Sequence, residues 1–497
     1  MTRLDRRNVL TAVGTGLTAL LAGCQGTDDA TDATASTETS TLGTTTPPET
    51  ATGDVTTGNE TTSAADSEEL RRRANEFVGL LADGAFEEAH GRFGSTVAEQ
   101  LSVQQLRQVW TSLESQLGEY RRLTALEVGA QGGYDVAIGI AAFERGRREV
   151  VLAFDGETVA GFRIRRVTDK WTPPDYADQS AFTERSVSLS ATDACTLEGT
   201  LTLPTGVERA PGVLLVHGSG PSDRDGTVGP NKTYKDIAWG LASRGVAVLR
   251  YDKRTAACDV NLAEITIDEV VTNDALAAAE ELRGTDLVAD DDVVVAGHSL
   301  GGTLAPRIAA RDGNLAGVVM LAPLARSASD AIVDQNRYLA ELDGTVTDAE
   351  ENQLNRSRRI AERIRSLDFP DDEVVYLGGD EYWRTLAEYD HLQTASDLAV
   401  PRLLLFGERD YQVTVEEDLP RWKDALDGES NVTFRRYDRL NHLFMPGSGK
   451  PNNEEYFQTD HVAERVVGDL TAFVGDATGV RVGVDTGGTA TTGTTTE

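Results

Sequence analysis

The sequence predicts an α/β protein: a mostly parallel sheet flanked by helices with a helical cap insertion, preceded by a small α+β domain. Three observations carry this. From about residue 181 to 475, apolar β-branched runs alternate with segments of helical period, the pattern of a parallel sheet with crossover helices. Within that stretch the run Asp292-Val293-Val294-Val295-Ala296 leads directly into Gly297-His298-Ser299-Leu300-Gly301 and then Gly302-Thr303-Leu304-Ala305. Strand, sharp turn and helix in that order make Ser299 a candidate nucleophile rather than a loop hydroxyl. Ahead of it, residues 67–170 carry helical segments followed by four strand-like runs.

Size and charge bound the answer. The chain has 497 residues, enough for two or three domains, and a formal net charge of -34 from 81 acidic and 47 basic residues. Of the basic residues 6 are Lys and 41 are Arg. Such a surface excludes nucleic-acid binding, which needs a basic footprint. An acidic, Lys-poor surface fits a protein working in high salt, where self-repulsion is screened, and implies a haloarchaeal source.

The first residues read as an address. Arg6-Arg7-Asn8-Val9-Leu10, a mildly apolar stretch and Leu21-Ala22-Gly23-Cys24 resemble a twin-arginine signal peptide over 1–24 ending in a lipobox. The apolar stretch is too short and too weak for a comfortable transmembrane helix. The resemblance implies lipidation at Cys24, export by the twin-arginine route and anchoring on the outer face of the cell membrane. Residues 25–66 are almost entirely Thr, Ser, Ala, Gly, Asp and Glu and cannot bury a core, so they read as a disordered stalk. The tail, 476–497, reads the same way.

In the small domain, 68–82 carries Leu70, Ala74, Phe77, Val78 and Leu81 at helical spacing, and 102–117 repeats the pattern with Leu106, Trp110 and Leu117. Strand-like runs follow at 121–128, 134–142, 148–154 and 158–165, with turns at Gly132-Gly133 and Asp155-Gly156. Helices first and a curled antiparallel sheet afterwards resemble nuclear-transport-factor-like domains, in particular a small domain of unknown function that precedes exported hydrolases. His90 is its one histidine, with no nucleophile or metal cluster beside it. A spacer or dimerisation surface is the favoured role.

Trp171-Thr172-Pro173-Pro174 marks the link to the second unit, 181–475. Its strands read at 197–203, 213–216, 246–250, 293–296, 318–321, 403–406 and 432–437. Its helices read at 234–243, 268–283, 300–311 and 461–474. Between Leu321 and Pro401 the chain is longer than one crossover needs. Helical segments at 328–342 and 347–367 read there as a cap, about 325–395. Arg356, Arg358, Arg359, Arg363 and Arg365 on the second segment read mainly as a solvated face, with recognition of an anionic substrate as the alternative.

This order of elements around the serine turn resembles the α/β-hydrolase fold. A serine hydroxyl needs a base within reach and an acid to orient that base. The resemblance implies the chain order serine, acid, histidine. Asp410 in Phe406-Gly407-Glu408-Arg409-Asp410 stands at the carboxyl edge of a buried strand, and His442 in Asn441-His442-Leu443-Phe444 follows the last strand. Glu408 is the rival acid. His391 is expected under the cap and His461 on the surface. By the same resemblance the oxyanion is met by the backbone N–H groups of Ser219, in His217-Gly218-Ser219-Gly220-Pro221, and of Leu300. His217 and His298 read as structural.

His217 to Gly226, Arg250-Tyr251-Asp252-Lys253-Arg254 and Glu381-Tyr382-Trp383 narrow the resemblance to a branch of serine esterases related to dienelactone hydrolases and prolyl-oligopeptidase-like peptidases. Their charged residues are expected to pair and hold the loops near the site. The implied function is hydrolysis of a small-molecule carboxylic ester through an acyl-enzyme, with no metal and no cofactor. A peptidase, thioesterase or lactonase of the same fold is the alternative, and an exported ligand-binding protein is the alternative of another class. Cys195 and Cys258 lie in no metal-ligand or Cys-x-x-Cys spacing and read as two small buried thiols, with pairing left open.

Overall fold

The computed structural model describes residues 64–131, 134–167, 170–192, 195–370 and 372–483. The signal segment with Cys24, most of the stalk, the Gly132-Gly133 turn and residues 484–497 lie outside the described residues. The chain divides into two compact units between Val167 and Thr168.

The first unit opens with α1 (Ala64–Ala82), α2 (Phe86–His90), α3 (Ser95–Gln100) and α4 (Val103–Leu117). The apolar stripe of α1 is buried at Leu70, Ala74, Phe77, Val78 and Leu81, as its spacing requires. Ser102 and Gln105 form a reciprocal capping box that starts α4. Four strands then run as an antiparallel meander in the order β1 (Tyr120–Gln131), β2 (Tyr134–Phe143), β3 (Arg147–Asp155) and β4 (Thr158–Arg166). Alternate residues of β3, Val150, Leu152 and Phe154, face the core. The sequence pattern found both long helices and all four strands. It missed α2 and α3, which are too short to show a period.

The second unit is built on an eight-stranded sheet. Its strands are β5 (Phe182–Thr192), β6 (Cys195–Pro204), β7 (Gly212–Val216), β8 (Ala247–Tyr251), β9 (Val293–His298), β10 (Gly317–Leu321), β11 (Arg402–Gly407) and β12 (Val432–Tyr437). Across the sheet they lie in the order β12-β11-β10-β9-β7-β8-β6-β5. Only β5–β6 and β6–β8 pair antiparallel, and the remaining pairs are parallel. The central strands β7 to β11 are buried residue for residue, which explains their unbroken apolar runs. Helices α5 (Thr233–Ala242), α7 (Asn273–Arg283), α8 (Leu300–Asp312) and α14 (Glu464–Thr478) accompany this sheet, and a π-helical turn at Asp268–Thr272 leads into α7.

Between β10 and β11 lie α9 (Ala328–Ala340), α10 (Asp348–Ser366), α11 (Asp380–Glu388) and α12 (His391–Ser396). Thr347 and Glu350 cap α10, which buries Leu354, Ser357, Ala361 and Ile364 on one face. Its arginines are met locally: Arg356 by Gln353, Arg358 by Glu351, Arg363 by Glu373 and Arg365 by Asp330. Arg359 is exposed.

Three expectations change. Cys195 and Cys258 are joined by a disulfide, with their Cα atoms 6.0 Å apart, rather than standing as two thiols. His461 lies ahead of α14 rather than opening it. It is half-buried with Nδ1 3.1 Å from the buried Asp236 carboxylate rather than free on the surface. The fold also runs past 476: α14 continues to Thr478, and the Gly483 N–H donates to the Arg244 carbonyl at 2.9 Å.

Candidate active site

The site gathers at the carboxyl ends of β7, β9 and β11, where an open parallel sheet leaves its crevice. Ser299 stands between β9 and α8 with φ 55° and ψ −119°, a strained conformation for a residue with a side chain. Sterics explain its neighbours. A Cβ on Gly297 would lie 2.1 Å from the Gly301 carbonyl oxygen, and one on Gly301 would lie 2.4 Å from that of His217. Both positions therefore exclude every residue but glycine. The Ser299 N–H is held by the Leu321 carbonyl at 2.8 Å, and α8 begins at the next residue, Leu300.

His442 follows β12 in a loop shaped by its neighbour. The Asn441 side-chain oxygen accepts the N–H groups of Leu443 at 3.0 Å and Met445 at 3.1 Å, which curls the backbone around His442. Asp410 follows β11 and is buried. Its Oδ1 accepts the N–H groups of Gln412 at 2.7 Å and Val413 at 3.0 Å, and its Oδ2 lies 2.6 Å from His442 Nδ1. The structure thus joins the expected acid and base directly. Glu408 instead pairs with Arg436 at 2.7 Å on an exposed face, away from His442.

His298 ties the serine turn to His442. Its Nε2 lies 2.9 Å from the His442 carbonyl oxygen, and its Nδ1 lies 3.3 Å from the Tyr234 hydroxyl. Burial, with the His442 ring 4.7 Å away, pushes His298 down to about 3, so it is neutral and donates one N–H. His217 is also buried, edge-on to Tyr234 and Tyr251, and burial pushes it down to about 3. Both lie buried with partners in the loops around the serine turn.

The loop after β7 lies against the serine: a Cβ on Gly218 would lie 3.2 Å from Ser299 Cβ. The Gly218 N–H donates to the Tyr234 hydroxyl at 3.1 Å, and Lys253 Nζ donates to the Gly218 carbonyl at 2.6 Å. Most motif charges pair as expected, Arg224 with Asp252, Arg250 with Asp225 and Glu184, Lys232 with Asp225, and Arg254 with Asp274, whereas Lys253 holds a backbone carbonyl instead. His391, expected under the cap, instead opens α12, within the 325–395 segment itself, with Nε2 3.1 Å from the Ala325 carbonyl oxygen. Sequence reasoning missed Tyr234 and the buried Asp418, which accepts the Ala325 and Arg326 N–H groups and pairs with Arg326. Neither sits in a motif; only the turn each one holds marks it.

Among the described residues no group of three His, Cys, Asp or Glu side chains is placed to hold a metal ion, and no helix is long and apolar enough to cross a membrane.

Residues 213–446 match the alpha/beta hydrolase family, and residues 74–162 match a family described as a protein of unknown function, DUF3887. The chain belongs to the α/β-hydrolase family, among its esterases. Esterase EstD of Thermotoga maritima is 39% identical over 400 residues, covering 80% of this chain and 93% of its own length. Among solved structures, Est1E of Butyrivibrio proteoclasticus with ferulic acid bound is 19% identical, with a TM-score of 0.40 over 59% of this chain and 100% of its own. A Pyrococcus furiosus esterase is 16% identical, with a TM-score of 0.38 over 56% of this chain and 88% of its own.

Proposed function

We propose that this protein hydrolyses small-molecule carboxylic esters through an acyl-enzyme on Ser299. The observation that carries the reading is the Asp410–His442 hydrogen bond of 2.6 Å, linked through the His442 carbonyl oxygen and His298 Nε2 to the residue preceding a serine held at φ 55° on a strand-to-helix turn. With Nδ1–H donated to Asp410, His442 keeps Nε2 free as the base. The Ser299 Oγ attacks the ester carbonyl carbon while Nε2 takes its proton. The resulting oxyanion is met by the N–H groups of Leu300, at the start of α8, and of Ser219. Collapse breaks the bond to the alcohol oxygen, which leaves with the proton from His442. Water then gives a proton to His442 and attacks the acyl-serine; the acid leaves and Ser299 Oγ regains its proton.

The 39% identity to a named esterase supports the ester substrate class. The net charge of -34 and the Arg6-Arg7 and Leu21-to-Cys24 motifs support an enzyme exported to brine and tethered by lipid at Cys24. The test is hydrolysis of p-nitrophenyl acetate in high salt by the wild-type protein and by Ser299→Ala. Loss of turnover in the variant is expected; turnover at the wild-type rate would reject the nucleophile.

A further inference from the structure

We propose that Lys253 is a positioning residue for the reaction: by gripping the Gly218 carbonyl it aims the Ser219 N–H at the oxyanion. This rests on the reading of Ser299 and Ser219 above. The Gly218 carbonyl and the Ser219 N–H belong to one peptide group, and no described peptide bond is cis. In a trans peptide the two point in opposite directions. Lys253 Nζ lies 2.6 Å from the Gly218 carbonyl oxygen, so fixing that oxygen also fixes the direction of the Ser219 N–H. The hydrogen bond draws electron density toward the carbonyl and strengthens the N–H as a donor.

Lys253 is placed to do this and little else. Its side chain is buried, although it is a lysine, a residue almost never buried without a reason. Its backbone N–H donates to the Ser222 carbonyl at 3.0 Å, so one residue holds the loop at Gly218 by its side chain and at Ser222 by its backbone. It immediately precedes α6 (Arg254–Ala257). Asp274 on α7 faces it but is claimed by Arg254, and His217 faces it from the end of β7. Among the described residues no carboxylate hydrogen bond to Nζ competes with Gly218. On the other side Tyr234 holds the Gly218 N–H, so the glycine is gripped through both of its peptide groups. Burial brings the ammonium down to about 7 against the pull of Asp274, and Asp274 keeps Arg254 as its partner when Lys253 is replaced by a neutral side chain.

The test compares wild type, Lys253→Met and Lys253→Ala as full-length protein. Each is assayed with p-nitrophenyl acetate and with its thiono analogue, in which sulfur replaces the carbonyl oxygen and accepts hydrogen bonds poorly. Removing one oxyanion donor costs on the order of 10²–10³ in rate, and a loosened one should cost about 10² in kcat with KM changed less than about twofold. The preference for the oxygen ester over the thiono ester should shrink with it, which mere loss of stability would not produce. Melting curves establish that the variants are folded. Wild-type kcat and an unchanged oxygen-to-sulfur preference in either folded variant would overturn the proposal. So would failure of both variants to fold, which would make Lys253 an element of stability. Ser299→Ala run alongside separates the two readings. If it is inactive while Lys253→Met is not impaired, only the role of Lys253 fails; if it stays active, the assignment of the nucleophile fails.

Discussion

His298 Nε2 donates to the carbonyl oxygen of His442 at 2.9 Å. The residue before Ser299 therefore holds the backbone of His442. The same ring meets the Tyr234 hydroxyl, which in turn accepts the Gly218 N–H at 3.1 Å. A single chain of hydrogen bonds runs from the loop after β7, through Tyr234 and His298, to His442. The parts arise from distant stretches of sequence and are brought into register by these side chains.

His298→Ala should lower kcat about 10- to 10²-fold, the scale of a small misplacement of reacting groups. Because His298 is already neutral above about 3, the shape of the pH–rate profile should not change. Steady-state kinetics from pH 5 to 9 check both; a shifted acid limb would show that His298 itself titrates in the reaction.

Asp410→Asn should lower kcat about 10⁴-fold, because an amide can no longer hold the imidazole in the tautomer that leaves Nε2 free. Glu408→Gln, which breaks only the exposed pair with Arg436, should leave kcat within about twofold and stability within about 0.5 kcal/mol. Active-site titration with kinetics on the two variants distinguishes the two acids.

Much of this was legible before any coordinates. The runs at 293–296, 318–321 and 403–406 are apolar throughout because their strands are buried on both faces. The serine turn, Asp410 and His442 follow strands that sequence can locate. What stayed hidden depends on contact. Strand β5 was missed because Val187 and Leu189 are its inward residues along a serine-rich run. Helix α13 (Asp418–Ala425) spans only two turns. Tyr234, Lys253 and Asp418 are polar residues whose meaning lies in which backbone group they hold, and nothing in their spacing announces that group. His461 looked free because its partner Asp236 is more than 200 positions away in the chain.

Stability should fall in mild acid. His217 and His298 are held down to about 3 in the folded protein, against about 6.5 when exposed. Their contribution is complete above about pH 6.5 and is lost as the pH falls toward 3, because the unfolded chain takes up protons that the native state refuses. The slope should approach about 1.4 kcal/mol per pH unit for each histidine. Urea unfolding at pH 7, 6 and 5 measures it, and His298→Asn should reduce it by the share of one histidine, about 1.4 kcal/mol per pH unit.

The Cys195–Cys258 disulfide closes a loop with a sequence separation of 63 and should contribute about 4 kcal/mol by restricting the unfolded chain. Urea unfolding of Cys195→Ser/Cys258→Ser against wild type should show that loss, while kcat of the folded variant stays near wild type. An unchanged midpoint would mean that the bridge does not form in the protein as made.

The central claim is that Ser299 Oγ is the nucleophile, and covalent labelling tests it most directly. Wild-type protein treated with a fluorophosphonate should lose ester hydrolysis in proportion to the label bound, reaching one label per chain. Peptide mass spectrometry should place that label on Ser299. Complete inactivation with the label on another residue, or full labelling of Ser299 with activity retained, would contradict the account.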